Sequence, residues 1–310
     1  AHAQTLPPCQ MPFAHRLLTE EKHMPKISVL MPVYKTPETY LREAIESVLT
    51  QSFADFEFLI LDDCPEHPVE EIVKSYKDER IKYIQNEKNM GITPSRNKLI
   101  DMARGEYLAV LDHDDVCLPD RFEKEAAYLD AHQNVGVVSC RIEQIPSGKI
   151  SDQPQDDKSI KLALMRYCVI MHSASMIRKS VLLENGVRYE EQFSPAEDYA
   201  LWLRLIKYTD FHILPDVLFK YRFHANNTSK TQKTKMERAT CALHALAKNA
   251  YPDLYEEFLL RATHTAYVRL FGIPVLKIVR QGGETRCLLF YKIPVLVFKS
   301  VTKLKIKGAV

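Results

Sequence analysis

The chain has 310 residues, 46% of them apolar and 26% charged, with a net charge of +2. These fractions exclude wholesale disorder and leave room for one large core with an appendage, or for two domains. No apolar run approaches the roughly 18 residues a conventional transmembrane helix needs, and seven scattered cysteines without a C-x-x-C pair fit free thiols in a reducing cytosol better than disulfides or a zinc site.

The charge is uneven. Residues 261–310 carry ten Lys/Arg and one acid, Glu284, a local +9 that leaves −7 for the first 260 residues. A basic tail on an acidic body suggests contact with something anionic. Residues 1–24 lack the apolar core of a secretory signal and read as a poorly ordered leader.

In chain order, Ile27 to Met31 reads as a buried strand, closed by Pro32, Val33, Tyr34 and Lys35. Thr36 then predicts an N-cap with Pro37 at the first helical position, and Leu41, Ala44, Ile45 and Val48 follow at helical spacing. Phe56 to Leu61 predicts a second strand ending in Asp62 and Asp63, followed by a helix around 69–76 and a third strand over 81–85. Thr93-Pro94 repeats the Thr-Pro device and predicts a helix through Ala103. Next comes Leu108-Ala109-Val110-Leu111, an apolar run led by Gly105 and stopped by Asp112-His113-Asp114-Asp115. This alternation predicts a mainly parallel, doubly wound sheet, with its acids at the strand ends where open α/β folds bind ligands. The acidic cluster reads either as a hard-cation site for Mg²⁺ or Mn²⁺ or as a polar turn before the next helix.

Beyond Asp115 the pattern changes: a helix over 120–131, a strand over 135–141, an irregular polar segment over 146–158 and mixed apolar runs over 160–183. Ser194-Pro195-Ala196-Glu197 predicts a capping box, with Leu201, Trp202, Leu205 and Ile206 as the buried stripe of its helix. A strand over 211–222 ends at His224, and a helical region begins near 232. Leu270 to Leu276 and Leu289 to Leu296 form a weak two-copy repeat, which reads as a strand pair on the body or as a basic-apolar membrane-surface element.

Three acidic pairs thus fall at element ends: Asp62/Asp63, Asp112/Asp114 and Glu197/Asp198. A sugar-nucleotide transferase needs such parts to hold the base, to place a metal on the diphosphate and to take a proton from the acceptor. Six segments make the pattern specific: ISVLMPVYK (27–35), FEFLILDDCPE (56–66), NMGITPSRN (89–97), GEYLAVLDHDD (105–115), AEDYALWLRL (196–205) and YRFH (221–224). Over roughly residues 26–225 the chain resembles a family 2 glycosyltransferase of the GT-A fold, of the bacterial surface-polysaccharide type.

The resemblance implies a Rossmann-like GT-A domain over 25–230, with a nucleotide-binding half (25–117) and an acceptor half (118–230), then a helical, basic, membrane-associating extension over 231–310. It implies Asp114 as ligand of Mn²⁺ or Mg²⁺, joined by Asp112 and by His224 from the far side. Pro32, Val33, Tyr34 and Asp63 would hold the base, and Gly91 and Arg96 the nucleotide. Asp112 and the middle residue His113 fall in the same nucleotide-sugar set. Asp198 matches the general base of an inverting displacement, Glu197 keeping the capping role, and His172 is a further candidate for acceptor or phosphate contact. The implied partners are a UDP-sugar donor and a glycan or lipid-linked saccharide acceptor, on the inner face of the cytoplasmic membrane, in capsule or lipopolysaccharide assembly. Nucleic acid is not among them. Lys35 and Cys64-Pro65 depart from the family pattern of Asn after the Tyr and Gly-Ser after the acid pair, which bears on nucleotide selectivity. The alternative reading is a catalytically silent, glycosyltransferase-like binding or assembly protein.

Overall fold

The computed structural model describes residues 23–261 and, as backbone only, the strands 264–270, 273–281, 284–289 and 293–299. Most of the leader, residues 1–22, lies outside the described residues, as do residues 300–310 and the side chains of the basic tail.

The first half alternates strand and helix: β1 (Ile27–Val33), α1 (Glu38–Leu49), β2 (Phe56–Asp62), α2 (Glu70–Lys74), β3 (Ile81–Gln85), α3 (Ile92–Met102) and β4 (Tyr107–Val110). Every residue of β1, β2 and β4 is buried, as mostly apolar runs covered on both faces must be, and the polar Ser28 and Glu57 among them hydrogen-bond each other at 2.7 Å. The second half comprises β5 (Val116–Cys117), α4 (Arg121–Ala131), β6 (Val135–Ile145), β7 (Lys149–Ile150), α5 (Asp157–Leu164), β8 (Ser175–Arg178), α6 (Lys179–Glu184), α7 (Glu197–Leu205) and β9 (Asp210–Arg222). Helices α8 (Thr228–Thr231), α9 (Lys233–Ala250) and α10 (Pro252–Arg261) follow.

The main sheet runs β3-β2-β1-β4-β8-β6-β9-β5, with β7 beside β6. The pairs β3/β2, β2/β1, β1/β4 and β6/β9 are parallel; β8 enters antiparallel between β4 and β6. The expected parallel sheet therefore occupies the first half of the chain, and antiparallel pairs appear beside the parallel β6/β9 pair where the chain leaves strict βα alternation. Gly105 lets β4 lie against β1: a Cβ there would sit 2.5 Å from the Ser28 backbone nitrogen. Helix α9 sends Ala239, Leu243 and Ala247 into the same core cluster as Trp202 of α7. The last four strands, β10 (His264–Leu270), β11 (Ile273–Gln281), β12 (Glu284–Leu289) and β13 (Ile293–Lys299), form an antiparallel meander. The two repeat copies open β11 and β13, which flank β12 and do not pair with each other.

Three predicted caps are replaced. Helix α1 begins at Glu38 with Pro37 at the N-cap position, and the Thr36 hydroxyl has no partner. Helix α3 begins at Ile92 with Gly91 as N-cap at φ 87°, a left-handed conformation that glycine adopts without strain. Helix α7 begins at Glu197 with Ala196 as N-cap, so Ser194 caps nothing. In the last case a group from another element has claimed the residue that local chemistry would have used, as the site shows below.

One buried ion pair fixes the sheet behind the site. Arg121 and Glu125 are fully buried and 3.1 Å apart, and Arg121 Nη2 donates to the carbonyls of Val110 and Ser175, both at 3.0 Å. It thereby clamps the end of β4 to the start of β8. Burial pushes the Glu125 carboxyl up to about 7 even with Arg121 beside it. Arg121→Met is expected to lower stability by about 3–5 kcal/mol, because it strands a buried carboxyl and two carbonyls. Urea unfolding checks this, and Arg121→Met with Glu125→Leu should recover much of the loss if the pair acts as a unit.

Candidate active site

The strand ends β1, β2 and β4 bring the acidic motifs to one rim. At the end formed by β1 and β2, the Asp63 N–H donates to the Val33 carbonyl at 2.9 Å, joining the two strands. Asp63 Oδ1 accepts from Asn86 Nδ2 at 2.7 Å and the Met90 N–H at 2.8 Å; Oδ2 accepts from the Gly91 N–H at 2.8 Å. Asp63 thus anchors, from another strand, the loop that leads into α3. One lone pair on Oδ2 has no protein donor, the arrangement required to accept an N–H from a base edge. Asp62 instead accepts from the Cys64 and Val69 N–H groups, both at 2.9 Å, and from the Tyr83 hydroxyl at 2.8 Å, a purely structural set.

Pro32 and Val33 are buried in β1, whereas Tyr34 is 41% exposed and offers its ring to solvent. Lys35, at φ 48°, folds its ammonium back to 5.1 Å from that ring.

Arg96 of α3 is the hub. Its Nη1 donates to Glu197 Oε1 at 2.5 Å and its Nη2 to Asp112 Oδ1 at 3.0 Å, and its guanidinium lies 5.7 Å from the Tyr189 ring centroid. Glu197 is therefore not a capping residue: its buried carboxylate is an ion-pair partner for a buried guanidinium from 101 residues away in sequence. This bridge connects the Asp112 loop to the turn that carries Asp198. Asn97, next to Arg96, exchanges hydrogen bonds with the Tyr189 backbone at 2.9 and 3.1 Å and holds the same segment.

Asp198 is half-buried at the start of α7. Its Oδ1 accepts the Tyr199 N–H at 2.7 Å, and its Oδ2 faces Cys168 Sγ at 3.7 Å. Burial, then the neighbouring Glu197 charge, push its pKa up to about 6 against the opposing pull of Arg96. A carboxylate so placed is ionised at neutral pH yet basic enough to take a proton.

At the other end of the rim, Asp114 Oδ2 meets His224 Nε2 at 2.7 Å, and Tyr40 packs 5.9 Å from the His224 ring. Arg222 secures this contact: its Nε donates to the Asp114 carbonyl at 2.8 Å, its guanidinium also pairs with Glu43, and it lies 4.3 Å over the Tyr40 ring. Asp115 is no helix cap. It is buried, accepting from Ser173 Oγ at 2.7 Å and from the Arg222 N–H at 2.8 Å, and so fastens the end of β9 to the acidic loop. Burial, with Asp114 and Asp112 close by, pushes its carboxyl well above the usual range. His113 is half-buried with Nδ1 unpartnered. His172 turns inward, buried, hydrogen-bonded through Nε2 to the Tyr189 hydroxyl at 2.7 Å and held neutral by burial.

Sequence reasoning did not single out Asn86, Tyr40, Ser173, Tyr189 or Cys168. Their contacts join residues far apart in the chain, so local pattern carries no trace of them.

The parallel first half, the antiparallel insertion and an acid-lined rim define a GT-A fold, a class reinforced by solved structures. The Staphylococcus aureus protein TarS, in its complex with UDP-GlcNAc, superposes with a TM-score of 0.61 at 20% identity, covering 76% of this chain and 72% of that one. The Pyrobaculum calidifontis mannosyltransferase PcManGT, in complex with GDP-Man and Mn²⁺, gives 0.53 at 15% identity, covering 77% and 75%. Residues 28–182 match the model of the glycosyl transferase family 2. An uncharacterized glycosyltransferase of Methanocaldococcus jannaschii is 35% identical over 227 residues, 70% of this chain and 78% of that protein. The chain belongs to glycosyl transferase family 2, and it is a glycosyltransferase. A further relative at 28% identity, Bacillus subtilis TuaG, covers 70% of this chain and 86% of its own; its name places it provisionally in teichuronic acid biosynthesis.

Proposed function

We propose that this glycosyltransferase moves a hexose or N-acetylhexosamine from a UDP-sugar to a hydroxyl of a glycan or lipid-linked saccharide, with inversion and with a divalent cation. The observation that carries the reading is the Arg96 bridge. It joins the Asp112 loop to the Glu197-Asp198 turn, so the carboxylates suited to a diphosphate and the one suited to an acceptor share one rim. The spare lone pair of Asp63 and the exposed ring of Tyr34 suit a uracil edge and face. TarS, solved with UDP-GlcNAc, supports the choice of donor.

Among the described residues no group of three or more His, Cys, Asp or Glu side chains is placed to hold a metal unaided. Asp114 and His224 do converge, and one carboxylate with one imidazole fits a cation that completes its shell with diphosphate oxygens and water. A cation bound there would supply charge neutralisation to the departing diphosphate. Asp198 would accept the proton of the acceptor hydroxyl as that oxygen attacks from the face opposite the nucleotide. Arg96 would hold Asp112 and the Asp198 turn in register.

TuaG, named for teichuronic acid biosynthesis, supports a place in surface-polysaccharide assembly. No helix among the described residues is long and apolar enough to cross a membrane, and the basic segment 261–310 supports peripheral association with an anionic inner leaflet.

A panel of UDP-, GDP- and TDP-sugars, with and without Mn²⁺ or Mg²⁺ and with cell-envelope acceptors, tests the reading by release of nucleoside diphosphate. UDP release that requires metal is expected, and Asp114→Ala should remove the metal dependence of UDP binding by calorimetry. Turnover confined to a non-uridine donor, or metal response unchanged in Asp114→Ala, would overturn the corresponding part.

A further inference from the structure

The base proposed above has one unusual neighbour. Cys168 Sγ lies 3.7 Å from Asp198 Oδ2 and 3.5 Å from the Ile170 carbonyl oxygen. It comes from the turn after α5, thirty residues before Asp198 in the chain. Both neighbours accept, and the thiol has one proton, so it can serve only one of them at a time. Trp202, fully buried, belongs to the core cluster against which Cys168 packs, and its indole N–H has no hydrogen-bond partner. Four residues on from Asp198, Trp202 stands one helical turn along α7.

We propose that Cys168 is a positioning residue for the general base: its S–H donates to Asp198 Oδ2, fixes the carboxylate rotamer and leaves one lone pair of that oxygen for the acceptor hydroxyl. This rests on Asp198 being the base. An ionised carboxylate is a stronger acceptor than a backbone carbonyl, so the thiol points to Asp198 while the base is charged. Once Asp198 has taken the acceptor proton, it is a weaker acceptor, and the thiol can turn to the Ile170 carbonyl. No proton leaves the sulfur in either state. Burial, and next the Asp198 charge, hold the thiol pKa well above its ordinary value, which keeps it a donor at neutral pH. The other charges facing this carboxylate are Glu197 and Asp112, which oppose its ionisation, and Arg96, which favours it.

The test uses two variants of nearly equal volume on the full chain, Cys168→Ala and Cys168→Ser, assayed with the donor and metal found by the panel. Loss of the donor in Cys168→Ala should lower kcat about tenfold and move the acid limb of the pH profile upward by about half a unit or more. KM for the nucleotide sugar should hold, because the hydrogen-bond partners of Cys168 are Asp198 and the Ile170 carbonyl, and none of the residues assigned to the nucleotide. Cys168→Ser restores a donor, so it should recover most of kcat and place the acid limb below that of the Ala variant. Equal kcat and equal limbs in the two variants would overturn the proposal, and a rise in KM with kcat unchanged would make Cys168 a packing residue only. A ¹³C titration of the Asp198 carboxyl in the three proteins separates this from the parent reading. If Asp198→Asn turns over normally, the base assignment fails, while an Ala-to-Ser difference in that titration still upholds the thiol contact and its absence removes it.

Discussion

Asp198→Asn is expected to lower turnover by roughly a thousandfold, within the range for loss of a general base, while UDP affinity stays within about twofold of the parent value. The amide keeps the shape of the carboxylate and can still accept the Tyr199 N–H, so α7 starts as before. It cannot accept a proton at neutral pH. On the proposed mechanism the ionised form is the active one, and burial pushes the Asp198 pKa up to about 6. Activity should therefore rise with pH through that value and level off above it, and the limb should vanish from whatever rate remains in the Asn variant. A steady-state pH profile with parallel UDP calorimetry decides the matter. Equal loss of turnover and UDP binding would make Asp198 structural, and an acid limb near 4 would mean that burial does not govern its titration.

The second large effect concerns Arg96. Its side chain is 11% exposed and that of Glu197 only 5%. Arg96→Met strands a buried carboxylate, which costs about 3–5 kcal/mol when one partner of such a pair is removed. A Tm decrease on the order of 10 °C follows for a domain of this size. The same substitution frees Asp112 from the Asp198 turn, so kcat should fall in the surviving folded protein at temperatures well below Tm. Arg96→Lys separates the two effects. A single ammonium can reach one carboxylate but not hold both in the fixed fork that guanidinium provides, so stability should return in large part and turnover should not. Calorimetry and turnover on the same samples read both. If Arg96→Lys matches the parent in kcat, the bridge is a stability device and contributes nothing to placing the base.

The two halves of the reading differ in how far the chain alone carried them. Buried runs such as Val29 to Met31 and Phe58 to Leu61 have only one stable place, the middle of a covered sheet, so strand identity follows from composition over a few residues. The acids at their ends then fall at one rim because parallel strands all finish on the same side. The helix caps went the other way. Thr36, Thr93 and Ser194 obey local preferences worth about 1 kcal/mol each, and the last of those preferences yields to Arg96, a charged group whose demand for partners is larger once buried. His172 shows the same limit: histidine before a serine run suits a phosphate, and only packing against Trp202 and Tyr189 turns it inward.

The amino-acid order by itself thus determined the alternating architecture, the family and the positions of the acidic motifs, because each depends on hydrophobic period and on residues within a few positions of one another. Tertiary structure alone decided the other partners: Arg96 with Asp112 and Glu197, Asp115 with Ser173 and Arg222, and Cys168 with Asp198. Hydrogen bonds act over about 3 Å in space, and spacing along the chain does not say which distant segments the sheet will bring within that reach.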